Sequence, residues 1–186
     1  FFQISTDFVF DGTSTTPYKS SDQTNPKNIY GKSKLEGERS SLVFDNSTVI
    51  RTAWLYGKGR SSFPQKIIKQ ISENGSVSVV SDVYGSPTSA NDLALFLVEL
   101  AKFENSERII HAVNSGAATR YEFALEIAAK FGIEQGSVLP VSSSEIEEEV
   151  ARPTYSVLES SFLPGVIPLS GWRQALNNWE PTILAP

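Results

Sequence analysis

ISTDFVFDGTSTTPYKSSDQTNPKNIYGKSKLEG, from Ile4 to Gly37, is the stretch whose reading decides the fold. It starts in an apolar, β-branched and aromatic run that reads as a strand over Phe1–Phe10. Asp11-Gly12 is a turn signal, and Thr13–Lys27, with Pro17 and Pro26, reads as a long loop. Beyond Asn25-Pro26 the pattern becomes helical to about Ser41. A helix over Ile29–Ser41 puts Tyr30 and Lys34 on one face, four residues apart. A phenol beside an ammonium is useful for proton transfer, because the positive charge favours the phenolate and lowers the tyrosine pKa. Ser5, Thr6 and Asp7 interrupt the strand, and polar groups there suit a site at the carboxyl edge of a sheet. The spacing of Tyr30 and Lys34 alone is common. Its combination with the polar strand end is what singles the region out.

Working outward, Val49–Tyr56 reads as a second strand with polar residues Arg51 and Thr52, and Trp54 lies where it should leave the sheet. Trp54 could fill the core, or its ring could pack on a ligand while the indole N–H bonds a polar group. Ser61 or Ser62 can cap a helix from Phe63 to about Asn74, ended by Gly75. Val77–Val80 is a short strand, Tyr84–Thr88 a turn, Asn91–Phe103 an apolar helix and Arg108–Val113 a buried strand. Thr119 and Glu122 form a capping box for a helix ending at Gly132. Trp172–Trp179 suggests a closing helix with Trp172, Leu176 and Trp179 on one face. The alternation of strands and helices argues an α/β architecture with a parallel sheet.

Composition narrows the chemistry. The 186 residues are 40% hydrophobic and 20% charged, which suits a globular protein. The net charge of −5 gives no reason to expect nucleic acid or an anionic membrane as partner. No apolar run reaches membrane-spanning length and no secretory leader is visible, so the expected location is cytoplasmic. With no cysteine, disulfides, thiolate metal sites and cysteine nucleophiles are excluded. His111 stands alone and reads as a packed core histidine. No metal ligand set is read, and a metal requirement stays open. Acid–base work falls to Tyr, Lys, Asp or Glu. The acidic run Glu145–Glu149 reads as a solvated surface, and Arg152 reads equally well as a surface residue or a diphosphate contact.

STDFVFDG, NIYGKSKLEGE (Asn28–Glu38), RTAWLYG (Arg51–Gly57) and VYGSPTSANDLA (Val83–Ala94) resemble the extended short-chain dehydrogenase/reductases, and within them the dTDP-4-dehydrorhamnose reductases. HAVNSG (His111–Gly116), YEFALEIA (Tyr121–Ala128) and ARPTYSVLES (Ala151–Ser160) continue the same order, so the resemblance covers essentially the whole chain. It implies the second half of a Rossmann-type parallel sheet with a smaller substrate-binding lobe. Residues 1–60 would be the carboxyl-terminal half of the NAD(P)-binding domain. Residues 61–186 would be mainly the substrate lobe, with strand 108–114 returning to the main sheet. No glycine-rich dinucleotide turn follows a strand here, and Gly57-Lys58-Gly59 lacks the spacing of one. The expectation is therefore a carboxyl-terminal part, inactive by itself, with an exposed sheet edge.

The resemblance also implies the chemistry: NADPH or NADH reduces the 4-keto group of a dTDP-linked deoxysugar. Tyr30 would be the general acid and Lys34 would tune it and hold the nicotinamide ribose. Thr6 would bind the substrate oxygen, and Asp7 and Trp54 would line the sugar pocket. A dTDP-sugar is the expected partner, with a homodimer left open. The competing expectations are a non-catalytic subunit like the regulatory β subunit of methionine adenosyltransferase, or another nucleotide-sugar reductase or epimerase.

Overall fold

The computed structural model describes residues 1–58, 62–103, 107–146 and 152–181. Gly59, Ser61 and the acidic run from Glu147 to Glu149, read above from the sequence, lie outside the described residues.

Fourteen elements frame the site among the described residues. They are β1 (Phe2–Thr6), α1 (Ile29–Ser41), β2 (Thr48–Thr52), β3 (Leu55–Tyr56), α2 (Phe63–Asn74), β4 (Val77–Val80) and β5 (Tyr84–Gly85). Then come β6 (Thr88–Ser89), α3 (Ala90–Leu100), β7 (Ile109–His111), β8 (Ala118–Thr119), α4 (Arg120–Lys130), β9 (Val138–Val141) and α5 (Trp172–Asn178). The fold is mixed α/β. Its main sheet is parallel and ordered β1-β2-β7, with Phe2 opposite Thr48 and Val49 opposite Ile109. Two further parallel pairs, β3 with β6 and β4 with β9, and an antiparallel pair, β5 with β8, build the rest. Among the described strands β1 pairs with β2 alone.

Two strand readings are corrected. The run Phe1–Phe10 leaves the sheet after Thr6, and Asp7–Val9 turn as a short 3-10 helix. Val9 and Phe10 are fully buried beneath that turn, so their apolar character serves a core contact instead of strand pairing. The run Val49–Tyr56 breaks after Thr52, because Trp54 has φ of 43°, and Leu55–Tyr56 then pair with β6 in a different sheet.

The helices start where their caps dictate. Asn28 accepts the Gly31 N–H at 2.8 Å and opens α1. The Gln65 side chain reaches back to the Ser62 N–H at 2.8 Å at the start of α2, and Gly75, at φ of 78°, ends that helix. Thr119 and Glu122 cap α4 reciprocally, at 3.0 and 2.7 Å.

Among the described residues, three apolar clusters hold these elements. Val9, Phe10, Tyr18, Leu35, Ala53, Val113 and Leu158 form one under the carboxyl ends of β1 and β2. Ile50 and Ile110 of the main sheet pack with Leu93, Phe96 and Leu100 of α3. The third joins α2, α4 and α5 through Ile67, Phe123, Ile127, Trp172 and Leu176. His111 is a core histidine: fully buried, with Nδ1 donating to the Tyr18 carbonyl at 3.1 Å. Burial, reinforced by the Arg51 charge, pushes its pKa down to about 4, so it is neutral at neutral pH. No described helix is long and apolar enough to cross a membrane.

Candidate active site

The site sits where β1 and β2 end. Thr6 is the last residue of β1, and its hydroxyl donates to Asp7 Oδ1 at 2.8 Å while accepting the Phe8 N–H at 3.2 Å. Asp7 Oδ2 accepts from the Ser156 hydroxyl at 2.6 Å. Burial pushes the Asp7 carboxyl above the usual range, opposed by the hydrogen bonds from Ser156 and Thr6 and by the Arg120 charge. Both Thr6 and Asp7 are almost wholly buried.

Tyr30 and Lys34 come one turn apart on α1. Tyr30 is 53% exposed, and among the described residues no hydrogen bond engages its hydroxyl. Its ring meets Phe8 edge-on at 5.9 Å, which ties it to the turn after Thr6. The Lys34 ammonium donates to the Ile4 carbonyl at 2.5 Å, two residues before Thr6. That uses one of its three donors and leaves two for a ligand.

α1 can approach so closely because of Gly31. A β-carbon there would lie 2.1 Å from the Phe8 carbonyl oxygen, a backbone atom with little freedom to retreat. In an ordinary helix Gly→Ala stabilises. Here Gly31→Ala is expected to cost about 1–3 kcal/mol through overpacking and to shift Tyr30 relative to Phe8. Chemical denaturation checks the stability, and an unchanged midpoint would contradict the close approach.

Below this pair lies a charged network the sequence reading missed. Glu38, one turn after Lys34, is 2% exposed and takes both arms of Arg51 on β2, at 2.9 and 2.7 Å. Ser5 donates to the same carboxylate at 2.5 Å, and Arg51 donates to the Ser20 carbonyl at 3.3 Å and lies over the Phe10 ring. The network joins the strand end, the helix carrying Tyr30 and the long loop.

Trp54 enters from the other side. Its indole packs on Gly85, where a β-carbon would fall 2.2 Å from the ring, and Arg120 lies 3.6 Å over the ring centroid. Thr6, Asp7, Ser156, Arg120 and Trp54 thus form one linked group, and Tyr30 and Lys34 adjoin it through Phe8 and Ile4. Arg152 is exposed and precedes Pro153, whose ring packs on Gly12. Ser156 and Arg120 were also missed. Ser156 lies within the run Ala151–Ser160, and Arg120 directly follows the Thr119 cap, neither position carrying a local signal of its own.

The RmlD substrate binding domain model matches residues 1–181. A probable dTDP-4,6-dihydroxy-2-methyloxan-3-one 4-ketoreductase of Streptomyces antibioticus is 37% identical over 98% of the chain and 63% of its own length. The spore coat polysaccharide biosynthesis protein SpsK of Bacillus subtilis is 41% identical over 95% of the chain and 62% of its own. Among solved structures, dTDP-4-dehydrorhamnose reductase from Bacillus anthracis in complex with NADP superposes with a TM-score of 0.89 at 34% identity, covering 96% of this chain and 64% of that one. The chain spans about three fifths of the length of the curated relatives it matches.

Proposed function

The chain belongs to the RmlD substrate binding domain family, and from that premise we propose that it forms the proton-donating and sugar-binding part of an NADPH- or NADH-dependent reductase. The substrate is a dTDP-linked 4-keto-6-deoxysugar, dTDP-4-dehydrorhamnose first. The observation that carries the reading is the placement, one turn apart on α1, of a half-exposed Tyr30 whose hydroxyl meets no hydrogen-bond partner among the described residues and a Lys34 ammonium held on the Ile4 carbonyl, two residues before Thr6.

The residues fit the nicotinamide end of the cofactor, because two donors on Lys34 stay free for ribose hydroxyls. Bound NAD(P)H would supply the hydride that converts the ketone to an alkoxide. Tyr30 would then give its proton to that oxygen, with the Lys34 charge one turn along α1 stabilising the phenolate left behind. Thr6 takes a subtler part. Its hydrogen points to Asp7 and one lone pair is occupied by the Phe8 N–H, so with Asp7 ionised it offers the sugar an acceptor. A proton on Asp7, which burial favours, reverses that bond and frees the Thr6 hydrogen for the substrate oxygen. Trp54 closes the sugar pocket as a flat apolar wall.

The test is NAD(P)H oxidation with dTDP-4-dehydrorhamnose, in a polypeptide that includes the dinucleotide-binding half. Substrate-dependent oxidation yielding the 4-hydroxy sugar is expected. Cofactor binding without turnover of any dTDP-4-keto sugar would overturn the reaction and favour a binding subunit.

A further inference from the structure

Trp54 holds a backbone conformation that a bulky residue adopts only when its surroundings impose it. A φ of 43° strains such a residue and breaks the strand that carries it. Two contacts hold the indole where that backbone places it. Gly85 leaves room for the indole that any side chain would remove. Arg120, the first residue of α4, lays its guanidinium 3.6 Å over the Trp54 ring and 5.1 Å from the Phe63 ring of α2. Phe63 in turn stacks on Phe123 of α4 at 5.5 Å, so the arginine is seated between elements that are themselves packed together. The same charge reaches the buried Asp7 carboxyl.

On the reading of the site given above, we propose that Arg120 is a positioning residue for the sugar, clamping the Trp54 indole as a fixed wall beside Asp7 and Thr6. It acts through Trp54, not on the reacting atoms. A planar guanidinium suits this because it stacks flat on an aromatic face, which a lysine ammonium cannot do. The cation–π contact is strongest where water is excluded, and Trp54 and Arg120 are both partly shielded. With the wall fixed in advance, the sugar does not have to order it on binding.

The experiment compares the full-length parent with Arg120→Ala and Arg120→Lys. Loss of the clamp is expected to raise KM for dTDP-4-dehydrorhamnose about tenfold in Arg120→Ala, with KM for NADPH unchanged. Arg120→Lys keeps the charge without the flat face and should stay closer to Ala than to the parent. The indole N–H resonance of Trp54, assigned with Trp54→Phe, should shift or broaden in both variants before any sugar is added.

An unchanged sugar KM in an active Arg120→Ala variant would overturn the proposal. So would equal rises in both KM values with a lowered melting temperature, which would mark Arg120 as a fold contact only. A parent that turns over no dTDP-4-keto sugar would defeat the reaction assigned to the site, and the sugar role of Arg120 with it. In that case a shifted indole resonance still supports the clamp, and an unmoved one overturns it.

Discussion

Tyr30→Phe is expected to lower kcat by about 10²–10⁴-fold, the usual contribution of a positioned general acid. KM for the sugar should stay within a few-fold of the parent. Removing one oxygen takes away the proton and nothing else the structure uses. Among the described residues the hydroxyl bonds to no protein group, and the phenyl ring keeps its edge contact with Phe8. The melting temperature should therefore match the parent, which separates lost chemistry from lost fold. Steady-state kinetics and a thermal melt on the same preparation check both halves. Retention of more than a tenth of kcat would remove Tyr30 from the role of acid.

The second large effect concerns stability. Arg51→Met leaves the Glu38 carboxylate buried, with Ser5 as its remaining partner. Breaking one side of a buried, bidentate pair costs about 3–5 kcal/mol. Replacing both partners, Glu38→Leu with Arg51→Met, should cost far less than the two single changes summed, since no uncompensated charge remains. Urea titrations of the two singles and the double close the cycle. Additive costs would mean that the pair does not act as a unit. Glu38 lies on the helix that carries Tyr30 and Lys34, so the single variants should also lose turnover at temperatures where they remain folded.

Local chemistry was legible in the sequence and long-range chemistry was not. Helix α1 begins and ends at the residues expected, Ile29 and Ser41, because Asn25-Pro26 and the Asn28 cap are written in adjacent positions. Gly75 and the Thr119–Glu122 box placed α2 and α4 in the same way. The apolar run through Phe10 misled because a buried turn and a buried strand want the same residue types. The break at Trp54 left no trace, since the residues that hold its indole, Gly85 and Arg120, are distant, the latter 66 residues away along the chain. Glu38 offers the same lesson. A glutamate on a helix ordinarily faces water, and only a strand arriving with Arg51 makes it a core residue. Ser156 reaches Asp7 across 149 residues, which no local pattern announces.

That last bond also bears on how the chain finds its shape. The main sheet is parallel, so neither of its pairings can be closed by a hairpin. β1 waits for Thr48, and β2 waits for Ile109. Each closure carries the entropy of a long loop, and topologies dominated by such contacts fold slowly. The Asp7–Ser156 contact spans 149 residues, and the bridge between Tyr18 and Leu158 joins the same two regions. The hydrogen bonds around Asp7 are thus completed only when Ser156 emerges, 149 residues after Asp7, and a nascent chain stalled before it would hold the helix with Tyr30 yet lack the Ser156 bond to the Asp7 carboxylate.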